Sequence, residues 1–144
     1  MFRFSKIRSY PLNKFNFFKT ISPFYFNEEI YFSGEKKKKS KTCIYKYNYK
    51  KKKIICCLTP NKEQRFVSPY IFKYKKNFIM LFENQNTKTK LSQISLAKSS
   101  NLTCWKVINL KFIYKKNYSI GSPAIIKDRL KNKFLFFLYK KKKN

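Results

Sequence analysis

The apolar residues of this 144-residue chain change their spacing several times along its length. Phe2 and Phe4 alternate with polar neighbours ahead of Ile7 and Tyr10, the two-residue period of a short strand. From Pro11 the spacing becomes three. Leu12, Phe15, Phe18 and Ile21 predict a helix that Pro23 ends or kinks, with room for a second half over Phe24 to Ile30. Gly34 opens a lysine-rich stretch in which Cys43, Tyr45 and Tyr47 alternate with lysines and other polar residues. It reads either as an exposed, RNA-facing hairpin or as a solvated loop expansion. Ile54 to Leu58 and Phe78 to Phe82 are short apolar runs of the kind that make buried strands. Thr59-Pro60-Asn61 marks a turn, Gln64 to Val67 continues extended, and Ser68-Pro69 breaks it. Asn84 and Asn86 stand as caps before Leu91, Ile94 and Ala97, whose spacing predicts a helix over 87–99. Leu102, Cys104, Ile108, Leu110, Phe112 and Tyr114 then share one face of a predicted strand, with Lys106 as the exception.

The order is β-α-β-β-α-β. It predicts an α+β, ferredoxin-like domain, two helices on a four-stranded sheet, over residues 1–114, with a basic insertion at 35–52. Residues 115–144 form a basic C-terminal extension, with a turn at Gly121-Ser122-Pro123, a short basic helix over 125–137 and a tail at Lys140 to Lys143. No internal repeat is evident.

Charge narrows the possibilities most. Lys plus Arg number 35 against six acids, a net charge of +29, and only four of the 35 are arginine. Self-repulsion at this level opposes a compact state unless a polyanion supplies counter-charge, and nucleic acid is the commonest such partner. A disordered basic tail carries few aromatics, whereas 19% of this chain is aromatic and 43% apolar, enough for a core. Lys, Asn, Ile, Phe and Tyr all use A/T-rich codons. Their dominance points to an A/T-rich genome, an organelle's or a protist nucleus, and part of the charge is then drift. With only two glycines, tight left-handed turns are expected to fall mostly on Asn.

Catalytic and metal chemistry find little footing. There is no histidine, no C-x-x-C pair and no glycine-rich phosphate loop; of the six acids only Glu28 and Glu29 are neighbours, and they project differently. Cys43, Cys56, Cys57 and Cys104 read as small buried hydrophobes. The expectation is a protein that is no enzyme, with no cofactor, no metal and no small-molecule substrate. Met1 to Tyr10 has no apolar core of a secretory signal, and no run reaches the length of a membrane span.

Several segments carry a resemblance. Lys6-Ile7-Arg8-Ser9-Tyr10 resembles the first strand of the small-subunit ribosomal protein 10 family. Leu58-Thr59-Pro60 with Arg65-Phe66-Val67-Ser68-Pro69-Tyr70 resembles its L-P-T … R-F-T … S-P-H segment. Phe78 to Glu83 sits where that family has a strand, Leu91 to Ala97 on its second helix, and Val107 to Leu110 on its last strand. The chain departs from the family at Tyr70, which replaces a histidine, in a shorter loop after it, in the insertion near Lys36 to Tyr49, and beyond residue 115. The resemblance implies a structural protein of the small-subunit head that binds ribosomal RNA and other small-subunit ribosomal proteins. The expected setting is a mitochondrial ribosome, with the plastid as second choice. The candidate RNA-binding residues are Lys6, Arg8, Lys36, Lys37, Lys38, Lys39, Lys50, Lys51, Lys52, Lys53, Arg65, Ser68, Tyr70, Lys73, Lys75 and Lys76. Lysines neutralise phosphates and release counterions. Tyr45, Tyr47 and Tyr74, each beside a lysine, and Tyr70, three residues before Lys73, suit stacking on unpaired bases.

Three other readings compete. Ala97, Cys104 to Val107 and Tyr118-Ser119-Ile120-Gly121 are similar to the first strands of the large-subunit ribosomal protein 14 family, though the rest of that barrel is missing. A basic accessory subunit of an organellar membrane complex would use 125–139 as its amphipathic helix on anionic lipid. DNA binding is weakest, with no helix-turn-helix or zinc finger in view.

Overall fold

Ten strands and their turns account for the secondary structure of the residues described by the computed structural model, which are 17–38, 40–48, 50–108, 118–128 and 133–142. Strands β1 (Lys19–Phe26), β2 (Glu29–Glu35), β3 (Cys43–Asn48) and β4 (Lys53–Leu58) form one sheet in that order. Strands β5 (Gln64–Tyr74), β6 (Asn77–Asn86), β7 (Ser92–Ser99) and β8 (Lys106–Ile108) form a second. A ribbon of β9 (Tyr118–Asp128) and β10 (Lys133–Lys142) follows. Every pairing is antiparallel and joins consecutive strands. Short turns suffice for such meanders, because an antiparallel neighbour needs no crossover.

The two sheets close on one core. Tyr31, Ile44 and Leu58 of the first meet Phe66, Ile71, Met80, Phe82 and Ala97 of the second, and Leu102 from the β7–β8 bend completes the cluster. The second sheet is buried on its other face too. There Leu81 and Ile94 pack with Ile120 of β9, and the Ser92 amide donates to Ser119 Oγ at 3.0 Å. The first sheet carries its own outer cluster of Phe32, Cys43, Tyr45 and Tyr47, on which Phe17 sits edge-on, 5.3 Å from Phe32 and 4.8 Å from Tyr45 between ring centres.

These layers correct the α+β expectation: the described residues contain no helix. The predicted helix over 87–99 is a turn followed by β7. Its three-residue spacing arose because Ile94 and Ala97 lie on opposite faces of one strand, and both faces are covered. A strand buried on two sides loses its alternation. The predicted helix beginning at Pro11 has its first turns outside the described residues. From Lys19 to Ile30 the chain is instead a hairpin. Phe18, Ile21 and Phe24 imitate helical spacing because a register shift between Ile21 and Phe24 inserts one extra residue into β1. The basic helix expected over 125–137 is paired backbone, with Leu135 opposite Ile126 and Phe136 opposite Ile125. The strand expected from Leu102 to Tyr114 is described only to Ile108, and Leu102 to Cys104 belong to a bend. Within 35–52 lies β3, an inner strand of its sheet with two neighbours. The first predicted strand, Phe2 to Tyr10, lies outside the described residues.

A repeated device emerges that sequence spacing did not disclose. Ser22-Pro23, Ser68-Pro69 and Ser122-Pro123 each stand in the first strand of a hairpin. Each serine has positive φ (53°, 54° and 52°), and each lies at a register shift of its ladder. Proline cannot donate to a ladder, so within a sheet it is confined to edge strands, strand starts or bulges, and here each stands in a bulge. The first two bulges touch, with Ser22 Oγ 3.3 Å from Ser68 Oγ. Left-handed residues elsewhere also differ from expectation. Asn27 is the one asparagine among nine non-glycine residues with positive φ in the described chain; Lys52, Lys75 and Lys90 take turn positions.

Candidate nucleic-acid interface

The fold gathers the exposed lysines at its two ends. At one end are the β1–β2, β3–β4 and β5–β6 turns, brought together through Phe26 of β1 and Phe78 of β6, whose ring centres are 6.1 Å apart. Lys50, Lys51, Lys52, Lys53, Lys73, Lys75 and Lys76 are exposed there. At the other end the β2–β3 loop, the β4–β5 connection and the β6–β7 turn are stitched together. The Phe66 amide donates to the Thr42 carbonyl at 3.0 Å and the Thr87 amide to the Glu63 carbonyl at 2.8 Å. Lys36, Lys37, Lys38, Lys41, Lys62, Lys88 and Lys90 are exposed at this end. Turns collect most of the lysines because the strand interiors are largely committed to two covered faces; Lys98, exposed within β7, is an exception.

Four of the six acids do not oppose this field; they are paired locally. Four ion pairs form among the described residues. Lys50–Glu28 and Lys88–Glu63 are exposed pairs at 2.5 Å. Lys46–Glu29 is buried, with Nζ 2.9 Å from Oε2, and Tyr31 and Asn48 also donate to the Glu29 carboxylate. Arg65 donates to Glu35 Oε1 at 2.8 Å, and so does Thr42 Oγ1 at 2.7 Å. With these carboxylates engaged, most of the surface lysines face solvent with their charge uncancelled.

The candidate residues thus divide. Lys36, Lys37 and Lys38 share one end with Arg65, while Lys50 to Lys53, Lys73, Lys75 and Lys76 share the other. Ser68 forms the bulge of β5, and Tyr70 is half-buried with its ring 4.7 Å from that of Phe24. Lys6, Arg8 and Lys39 lie outside the described residues. The hairpin of Cys43, Tyr45 and Tyr47 is not the exposed, RNA-facing element that was one of its two readings. Tyr45 and Tyr47 are buried, and Lys46 points into the interior toward Glu29. Tyr74 is exposed, with Lys75 Nζ 5.6 Å from its ring centre. Sequence reasoning missed Lys41, Lys62 and Lys90. These three join Arg65 around a basic groove of about 310 Å³, with Ser40, Gln64, Gln85 and Thr87 between them. Their one sequence signal was position: each follows or precedes a turn-forming Ser, Asn or Thr.

The cysteines also differ from expectation. Cys43 is buried and Cys57 half-buried, but Cys56 and Cys104 are exposed, and all four are free thiols. Cys56 is pushed down to about 6 by its hydrogen bond with Cys43, with Thr59 and the nearby Lys36 charge helping. Burial pushes Cys57 up to about 12.

Comparisons of the chain with protein-family models, with curated proteins and with solved structures give no match. No helix among the described residues is long and apolar enough to cross a membrane.

Proposed function

We propose that this chain is an RNA-binding structural protein of a ribonucleoprotein particle, the ribosome of an A/T-rich mitochondrial genome being the setting its composition fits. The observation that supports this reading most is the pairing of the charges. Four of the six acids, Glu28, Glu29, Glu35 and Glu63, are paired with neighbouring cations, whereas most of the exposed lysines clustered at opposite ends of the sandwich are left for an external polyanion. Two cationic poles on a rigid β body suit a protein that bridges separate stretches of a folded RNA.

Assignment to the small subunit, with other small-subunit ribosomal proteins as neighbours, rests on the sequence segments alone. The α+β fold implied by the ribosomal protein 10 resemblance is absent from the described residues. Their all-strand content favours a second reading, a large-subunit protein of the ribosomal protein 14 kind. Sedimentation of organelle lysates decides between them: co-migration with the small subunit supports the first, and co-migration with the large subunit the second. Recovery of the chain free of ribosomes at moderate salt overturns both.

A further inference from the structure

The core face of the second sheet changes character along its strands. In β6 the residues on that face run Met80, Phe82, Asn84, and in β7 they run Ala97, Ser95, Gln93. The register places Phe66, Asn84 and Gln93 in one row across β5, β6 and β7. At the end of the sandwich where the two sheets part, this row and the β4–β5 connection enclose a recess of about 490 Å³. Its polar wall is Thr59, Asn61, Gln64, Asn84, Gln93 and Ser95; its apolar wall is Phe66, Val107 and Ile108. No charged side chain lines it, on a chain in which 28% of residues are charged. Asn84 is held by donating to Ser95 Oγ at 3.3 Å, while the Asn61, Gln64 and Gln93 side chains make no hydrogen bond within the described residues. Gln64 also lines the basic groove of Lys41, Lys62, Arg65 and Lys90, so the neutral recess and the cationic groove adjoin.

We propose that this recess takes one unpaired nucleobase of an RNA strand whose flanking phosphates lie in the basic groove. The inference rests on the RNA-binding reading above and names the part of the RNA that this end of the sandwich holds. A base edge presents donors and acceptors side by side, as a carboxamide does, so a cluster of free amides can pair with it while charged groups could not do so without desolvation. Val107, paired with Ala97 on the core face, is an exposed apolar side chain, 40% accessible, and with Phe66 it offers the flat base an apolar wall. The volume falls within the range of small-molecule sites, roughly 300–1,000 Å³. Phosphates need the opposite environment, and Gln64 marks the border between the two. Base pairing would hide the edge that the amides read, so the site selects single strands.

The test is a fluorescence-anisotropy titration of the full chain at one fixed salt. The probes are short homopolymers of U, A and C, an RNA duplex of the same length, and heparin as a polyanion without bases. The expected result is tighter binding to single strands than to duplex, with one homopolymer preferred. Gln93→Leu should lower affinity for that homopolymer about five- to tenfold, the worth of one or two neutral hydrogen bonds, and leave duplex and heparin unchanged. Asn61→Ala, in an exposed connection, should act in the same direction and guards against a folding defect in the strand variant. Lys62→Gln with Lys90→Gln should weaken every probe alike. The proposal is overturned if both amide variants bind single strands as the parent does, or if they lose duplex and heparin affinity equally. Binding to heparin with none to any RNA would sink the RNA-binding reading itself, a result distinguishable from an indifferent recess.

Discussion

Lys46 of β3 and Glu29 of β2 form an ion pair inside the protein, Nζ to Oε2 at 2.9 Å, with side chains only 6% and 11% accessible. Tyr31 donates to the same carboxylate at 3.1 Å, Asn48 at 3.2 Å, and Thr103 lies 3.4 Å from Lys46 Nζ. The pair ties β2, β3 and the β7–β8 bend together. Two ions removed from water are tolerable only because each has the other and further polar partners.

Lys46→Met should therefore destabilise the protein by about 3–5 kcal/mol, since it leaves Glu29 buried without its cation. Adding Glu29→Gln to that variant should recover much of the loss. Urea unfolding of the parent and the two variants measures both effects. Equal stabilities for Lys46→Met and the parent would contradict the buried pair.

RNA affinity should fall steeply with salt. Replacing Lys36, Lys37 and Lys38 by Gln should flatten the slope of log K against log salt by up to about 2 on single strands, without altering base preference, if all three contact phosphates. Filter binding across a salt series reads this. A slope indifferent to those lysines would remove that end of the sandwich from the interface.

Cys56 should react as a thiolate at unusually low pH. Its alkylation rate should rise with a midpoint of about 6, and Cys43→Ala, which removes the hydrogen-bond donor, should move that midpoint up toward the ordinary 9.0. The linkage has a definite sign. Between about 6 and 9.0 the folded thiol has released its proton and the unfolded one keeps it, so this group adds stability as pH rises through that window. A midpoint near 9.0 in the parent chain would refute the Cys43 contact.

Cys57 and Tyr31 act in the opposite sense. Burial holds the Cys57 thiol at about 12 against an ordinary 9.0, and burial, then the adjacent Glu29 charge, raises the Tyr31 hydroxyl. From pH 9.0 upward the unfolded thiol ionises while the folded one stays protonated, so stability falls as pH approaches 12. Cys57→Ala should make that decline shallower, and denaturation midpoints at alkaline pH will show whether it does.

Gly34 is needed for closeness rather than for an unusual turn, since its φ is not positive. A methyl group there would stand 2.9 Å from two ring carbons of Phe17. Gly34→Ala should cost about 1–3 kcal/mol by displacing that ring from Phe32 and Tyr45. Near-ultraviolet circular dichroism should change with it; an unchanged spectrum and stability would mean that Phe17 yields freely.

Parts of the candidate interface were legible in the sequence because charge runs in turns report themselves. Lys36 to Lys38 and Lys50 to Lys53 were expected to be exposed cations, and the described structure exposes all seven. Lys46 reads identically along the chain, yet it is buried, because its partner Glu29 is 17 residues away in sequence and adjacent only once β2 pairs with β3. Lys41, Lys62, Arg65 and Lys90 form a groove only because three separate connections converge on one end of the sandwich. The amide recess is likewise invisible in order of sequence. Asn84 and Gln93 become neighbours through the β6–β7 register.

Amino-acid order alone shows that the chain carries a large net positive charge, that it holds enough apolar and aromatic side chains for a core, and that runs such as Phe78 to Phe82 suit a buried strand. These are sums and short-range patterns, and no distant residue can alter them. Helix against strand was decided only in three dimensions. Ile94 and Ala97 are spaced as a helix would space them, but β9 covers one face of their strand and the first sheet covers the other. A residue buried by two different layers obeys no single period. The Ser-Pro bulges compounded this, since each shifts the faces of its strand and disguises alternation as another rhythm.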